Sequence, residues 1–119
     1  MVNIPEVEFY LLNFKGVKEV LTVHELLKEL SVEARRALAS KTTDEDILDI
    51  LAIDENKFVR AAAIANPSTR EQTVNEAVSD PEYIVRLAVA KSIKLTETSI
   101  QRLLNDEEQG IVNAIKGKI

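Results

Sequence analysis

The residues able to do chemistry in this chain are few, and most of them are carboxylates. Asp44, Glu45, Asp46 and Asp49 crowd into one short stretch, a spacing at which carboxylates can take a hard cation or divide the work of acid and base. No loop with the ligand spacing of a calcium site follows, so helix-end charge and solvation are enough to account for them. His24 is the only histidine; without a second imidazole it cannot form a metal-binding pair, and a lone helical histidine is an ordinary rim residue. Cysteine is absent, which removes disulfides, thiolate nucleophiles, cysteine-ligated zinc and iron–sulfur clusters together. Arg60 and Arg86 form the basic pair that stands in a repeated setting, suited either to a phosphate-binding stripe or to a structural ladder. The expectation is a chain without catalytic residues, cofactor or metal.

Composition narrows the partners. Twenty acidic residues against fifteen basic give a net charge of −5, whereas a protein living on duplex phosphate carries a basic balance or stripe. The opening Met1-Val2-Asn3-Ile4-Pro5-Glu6 lacks the basic and apolar regions of a secretory signal. No stretch approaches the roughly 18 consecutive apolar residues of a spanning helix, so the cytoplasm is the expected location. With 119 residues, 45% of them hydrophobic, one domain can bury a core unaided.

The elements that must position these side chains repeat. Asp54, Asp80 and Asp106 stand 26 residues apart. Five positions after each comes Val59, Val85 or Ile111; next come Arg60, Arg86 and Val112, and two further on Ala62, Ala88 and Ala114. Upstream, Leu48, Val74 and Ile100 align, as do Leu51, Ala77 and Leu103. A partial earlier unit places Ala37-Leu38-Ala39 on Ala63-Ile64-Ala65. A period of this length signals stacked supersecondary units.

Capping chemistry divides each unit into two short helices. Asp80-Pro81-Glu82 predicts a helix start with Pro81 at the first helical position. Asp106 with Gln109, and Thr69 with Gln72, read as capping boxes; Thr43 before Asp44-Glu45-Asp46, and Thr96 before Glu97, are further starts. The predicted helices are 32–40, 44–53, 55–65, 70–79, 81–91, 97–105 and 107–117. Val59, Ala62 and Ala63, like Val85, Ala88 and Val89, fall on one stripe at helical spacing. Their small side chains let helix axes approach closely. Leu48, Leu51 and Ala52 form the facing stripe, and neither helix can bury its stripe alone.

The stretch Asp80-Pro81-Glu82-Tyr83-Ile84-Val85-Arg86-Leu87-Ala88-Val89-Ala90 resembles the core of HEAT-type repeats, and Ala65-Asn66-Pro67-Ser68-Thr69 resembles a turn of the shorter leucine-rich repeat variant. The resemblance covers roughly residues 32–119. It implies an all-α fold: a short α-solenoid of stacked helix pairs with a 26-residue period. It further implies that Asp54, Asp80 and Asp106 cap their helices while Arg60 and Arg86 reach a neighbouring unit, tying the layers into a ladder. The variant's cysteine-ligated iron–sulfur cluster does not carry over to a chain without cysteine. Two departures stand out: Asn66-Pro67 becomes Ser92-Ile93 in the next unit, and Val112 replaces the arginine in the last.

Residues 1–31 lack the repeat and are expected to form an N-terminal capping segment of the same single domain. Residues 6–14 fit a helix or a strand. Val20, Val23, Leu27 and Leu30 fit an amphipathic helix over the first layer, and Phe9, Tyr10 and Phe14 suit either a hydrophobic cap or an aromatic docking patch. At the other end, Ile111, Val112, Ile115 and Ile119 are more apolar than a solvated cap, which suits a partner or a homodimer. Lys57, Ala61, Tyr83 and Leu87 lie off the core stripe of the second helices and vary in type between units. They are the candidate binding face, with Tyr83 beside Leu87 as anchor. The function expected is a non-catalytic scaffold or adaptor binding another protein. A nucleic-acid-handling module, which wants a basic groove and stacking aromatics, is the first alternative, and a repeat-fold lyase the second.

Overall fold

The computed structural model describes residues 23–119, all of whose regular structure is helical. The readings made on residues 1–22, including the helix-or-strand segment and its aromatics, lie outside the described residues. The helices are α1 (Val23–Lys28), α2 (Val32–Lys41), α3 (Glu45–Leu51), α4 (Lys57–Ala65), α5 (Glu71–Glu76, extended by a 3-10 turn at Ala77–Ser79), α6 (Tyr83–Ala90), α7 (Glu97–Leu104) and α8 (Gln109–Lys116). Alternate helices pack along the chain: α2 on α4, α4 on α6, and α6 on α8. The intervening helices pack on their sequence neighbours, α3 against α2 and α4, and α7 against α8.

The core holds most of the two stripes read in the sequence; Ala62 and Ala88, expected on them, are only partly buried. Leu48 and Leu51 on one side, and Val59, Ala63, Val85 and Val89 on the other, are fully buried. Burial of each large aliphatic side chain is worth about 1.5–3 kcal/mol. From α1, Leu26 and Leu27 close over this core. No helix among the described residues is long and apolar enough to cross a membrane.

The helix starts differ from the expected ones in an instructive way. Asp54, Asp80 and Asp106 are not the N-caps; those are Asn56, Glu82 and Glu108. Each aspartate stands two residues earlier and accepts from the backbone N–H of the cap residue at 2.9 Å. At Asp80 the following proline disfavours helical backbone, and the chain stays extended there (φ −56°, ψ 138°). Pro81 therefore lies in the turn before the helix. The two capping boxes also dissolve. Thr69 is buried and its hydroxyl donates to the Ala63 carbonyl, while Gln72 and Gln109 bond along their own helices to Glu76 and Asn113. Thr43 yields its place to Asp44, whose carboxylate accepts from the N–H groups of Asp46 and Ile47. Thr96 does cap α7, accepting from Ser99.

Freed from capping, the aspartates receive arginines from the preceding layer. Arg60 Nε donates to Asp80 Oδ2 at 2.8 Å and Nη2 to Oδ1 at 3.1 Å, while Nη1 turns to the Asp54 carbonyl at 2.8 Å. Arg86 repeats this with Asp106 (2.8 and 3.3 Å) and the Asp80 carbonyl (2.9 Å). Arg35, which sequence reading passed over, makes the same fork with Asp54 (2.8 and 3.3 Å) and bonds the Leu30 carbonyl. It stands 25 residues before Arg60, not 26. The burial pattern follows that offset: Ala34, Arg35, Leu38 and Ala39 match Val59, Arg60, Ala63 and Ile64 in their layer. The first unit's expected alignment is therefore one residue out. Burial alone would raise the Asp106 carboxyl, but hydrogen bonds from Arg86 and the Glu108 N–H, with the charges of Arg86 and Arg102, hold it below its ordinary range.

A second set of bonds runs the other way, from each turn back to the layer before. Asn66 Nδ2 donates to the Ala39 and Thr42 carbonyls at 2.8 and 2.9 Å. Ser92 stands at the equivalent position and is too short to reach. Lys94 takes over instead, its Nζ donating to the carbonyls of Pro67 and Thr69, and Lys118 reaches the Ser92 carbonyl. Polar bonds also join the intervening helices: Asn75 of α5 accepts from Thr96 and Ser99 at α7.

Candidate functional site

The acidic stretch that opened the sequence reading binds an arginine. Arg70, from the next layer, donates to Asp49 and to Asp46 and lies 3.5 Å from Glu45. Hydrogen bonding to Asp46, reinforced by Asp49 and Glu45, raises its pKa against the opposing effect of burial. Asp49 also accepts from the Thr73 hydroxyl at 2.5 Å. These carboxylates are therefore spent on a layer contact, and no metal-binding group of histidine, cysteine or carboxylate side chains occurs among the described residues. His24 is exposed on α1.

The most apolar of the clefts among the described residues is a groove of about 560 Å³ across α2, α4 and α6, within the range of ligand and anchor pockets. Its floor is aliphatic: Ala62, Ile64, Val74, Ile84, Leu87 and Ala88. Corresponding positions of successive helices line it. Arg36, Ala61 and Leu87 form one row, Ser40, Ala65 and Lys91 another, and Phe58 with Ile84 a third. The turn residues Asn66, Pro67 and Ser92 to Lys94 close one end.

Two of the four expected binding residues, Ala61 and Leu87, fall in this groove, and two do not. Lys57 points to the next layer and pairs with Glu82 at 3.4 Å, both side chains being half-exposed. Tyr83 is 41% exposed and lays its phenol over Gly110 of α8. A Cβ added at Gly110 would come within 2.7 Å of that oxygen. Because the ring can swing into solvent, Gly110→Ala is expected to raise stability by about 0.5–1 kcal/mol through helix propensity. A thermal melt checks this; a loss of stability would show the phenol to be fixed in place.

Sequence reading missed Phe58 and Arg36. Phe58 is 40% exposed, with the Arg36 guanidinium 5.4 Å and the Lys57 ammonium 5.5 Å from its ring centre, a cation–π arrangement. The signal for Phe58 was its place one residue before Val59, hence beside the core stripe. At the C-terminal end Ile111, Val112 and Ile115 turn inward and are buried, while Ile119 is exposed.

No protein-family model matches the chain, and neither a curated protein nor a solved structure matches it.

Proposed function

We propose that the chain is a short α-solenoid of HEAT-like helix pairs, a non-catalytic scaffold that holds another protein in the groove across α2, α4 and α6. The observation that carries this reading is the groove's construction. Partly buried positions of α4 and α6, with core residues Ile64 and Val74 beneath them, present an aliphatic floor beside an exposed phenylalanine. An apolar concavity with few polar groups is the default binding surface of a folded domain. The arginine forks and the returning turn bonds supply the rigidity such a surface needs, since each helix is fixed to the one before and the one after.

A photo-cross-linking residue placed at Ala61 tests the reading. It is expected to give discrete protein adducts in a cell extract, while the same residue at exposed Gln101 on α7 gives none. Equal adducts at both sites would remove the groove from consideration. Leu87→Arg should abolish the Ala61 adducts without unfolding the chain, because Leu87 is only partly buried.

A further inference from the structure

We infer that the groove takes an acidic, aliphatic peptide segment: a short amphipathic stretch with its apolar side on the floor and carboxylates at the rim. This rests on the reading of the groove as a protein-binding surface and adds the chemistry of what binds. The chain as a whole is acidic, with twenty acidic residues to fifteen basic, yet the charged side chains lining the groove are Arg36, Lys91 and Lys94, with no carboxylate among its described lining residues. Lys94 is engaged with the backbone carbonyls of Pro67 and Thr69. Arg36 and Lys91 are exposed and form no ion pair among the described residues, in contrast to Arg35, Lys57, Arg60, Arg70 and Arg86.

Cations at the rim of an apolar cleft select for carboxylates on the partner, and like charge there rejects basic segments. The floor decides between partner classes. Nucleic acid is held by stacking on aromatic rings along a basic track, and among the described lining residues Phe58 is the single ring, over a floor of Ala, Ile, Leu and Val. Such a floor fits the aliphatic anchors that an amphipathic peptide presents at helical spacing.

The test is fluorescence anisotropy with the intact chain and three labelled peptides of about 14 residues, sharing leucines at i, i+3, i+4 and i+7. Their remaining positions carry glutamate, lysine or serine. The glutamate peptide is expected to bind at least about tenfold more tightly than the serine peptide, with the lysine peptide weakest. Arg36→Glu with Lys91→Glu should reverse that order; both side chains are exposed, and circular dichroism verifies that the variant folds. Serine or lysine peptides binding as tightly as the glutamate peptide would overturn the charge inference and leave the groove reading intact. No binding by any of the three at about 1 mM would overturn both. Displacement of the bound peptide by a single-stranded oligonucleotide would overturn the inference in favour of nucleic acid.

Discussion

Arg60→Ala is expected to lower folding stability by about 3–5 kcal/mol, the cost of leaving a buried carboxylate without its partner. The side chains of Arg60 and Asp80 are 14% and 10% exposed, so little solvent is at hand to take over from the lost guanidinium. Four groups lose a bond at once: both oxygens of Asp80 and the carbonyls of Asp54 and Glu55. Arg60→Lys should recover little of this, because an ammonium cannot satisfy the two carboxylate oxygens and the carbonyls from one fixed plane. The double replacement Arg60→Met with Asp80→Leu is expected to cost much less than Arg60→Ala, since removing both charges also removes their desolvation. Urea unfolding followed by circular dichroism, arranged as a double-mutant cycle, measures the coupling. A loss under about 1 kcal/mol for Arg60→Ala would place this pair with the weak surface bridges and deprive the layers of their strongest polar joint.

The second large effect belongs to Asn66. Its amide, which is buried, donates to the Ala39 and Thr42 carbonyls, and its Oδ1 accepts from the half-buried Ser68 N–H at 2.8 Å. Truncation to alanine strands two carbonyls at the end of α2, and at about 1–3 kcal/mol for each unsatisfied buried group a total of about 2–6 kcal/mol is expected. Asn66→Asp is the sharper variant. It keeps the shape but replaces the donor with an acceptor facing two acceptors, so it should be at least as damaging at neutral pH. Its deficit should shrink as the new carboxyl is protonated and regains one donor. The same unfolding assay run at neutral and mildly acidic pH reads this out. A deficit that grows toward acid would contradict the assigned bonds.

The helices were legible because their apolar residues recur at helical spacing and the small alanines mark where axes meet. Their first residues were less so. An aspartate before a hydrophobic run reads as a cap, and nothing in the local sequence says that Asp54, Asp80 and Asp106 are claimed by arginines some twenty residues upstream. Arg35 escaped notice because the first unit is one residue short, and a strict period puts Ala34 where the arginine belongs. That Ala61 and Leu87 lie off the fully buried stripe could be read from their register alone. Phe58 and Arg36 could not: their importance comes from lying across adjacent layers, a relation between helices that no single helix displays. The same holds for Lys94 and Lys118, whose roles appear once the turns are brought beside the carbonyls they satisfy.

The paired direction of these joints has a consequence for how such a chain can change length. Each layer gives an arginine forward and receives an amide or ammonium donor at its trailing edge, so donor and acceptor travel together inside one 26-residue block. If residues 55–80 were copied in tandem, Arg60 and Asp80 would be duplicated as a set, and the added block would meet its neighbours with the atoms already used there. Growth by whole blocks leaves no joint to reinvent, and the first unit, with Arg35 25 residues before Arg60, shows that a one-residue difference is still compatible with the fork. In the last described unit Val112 stands where the earlier units carry an arginine, so that unit lacks the forward-reaching guanidinium.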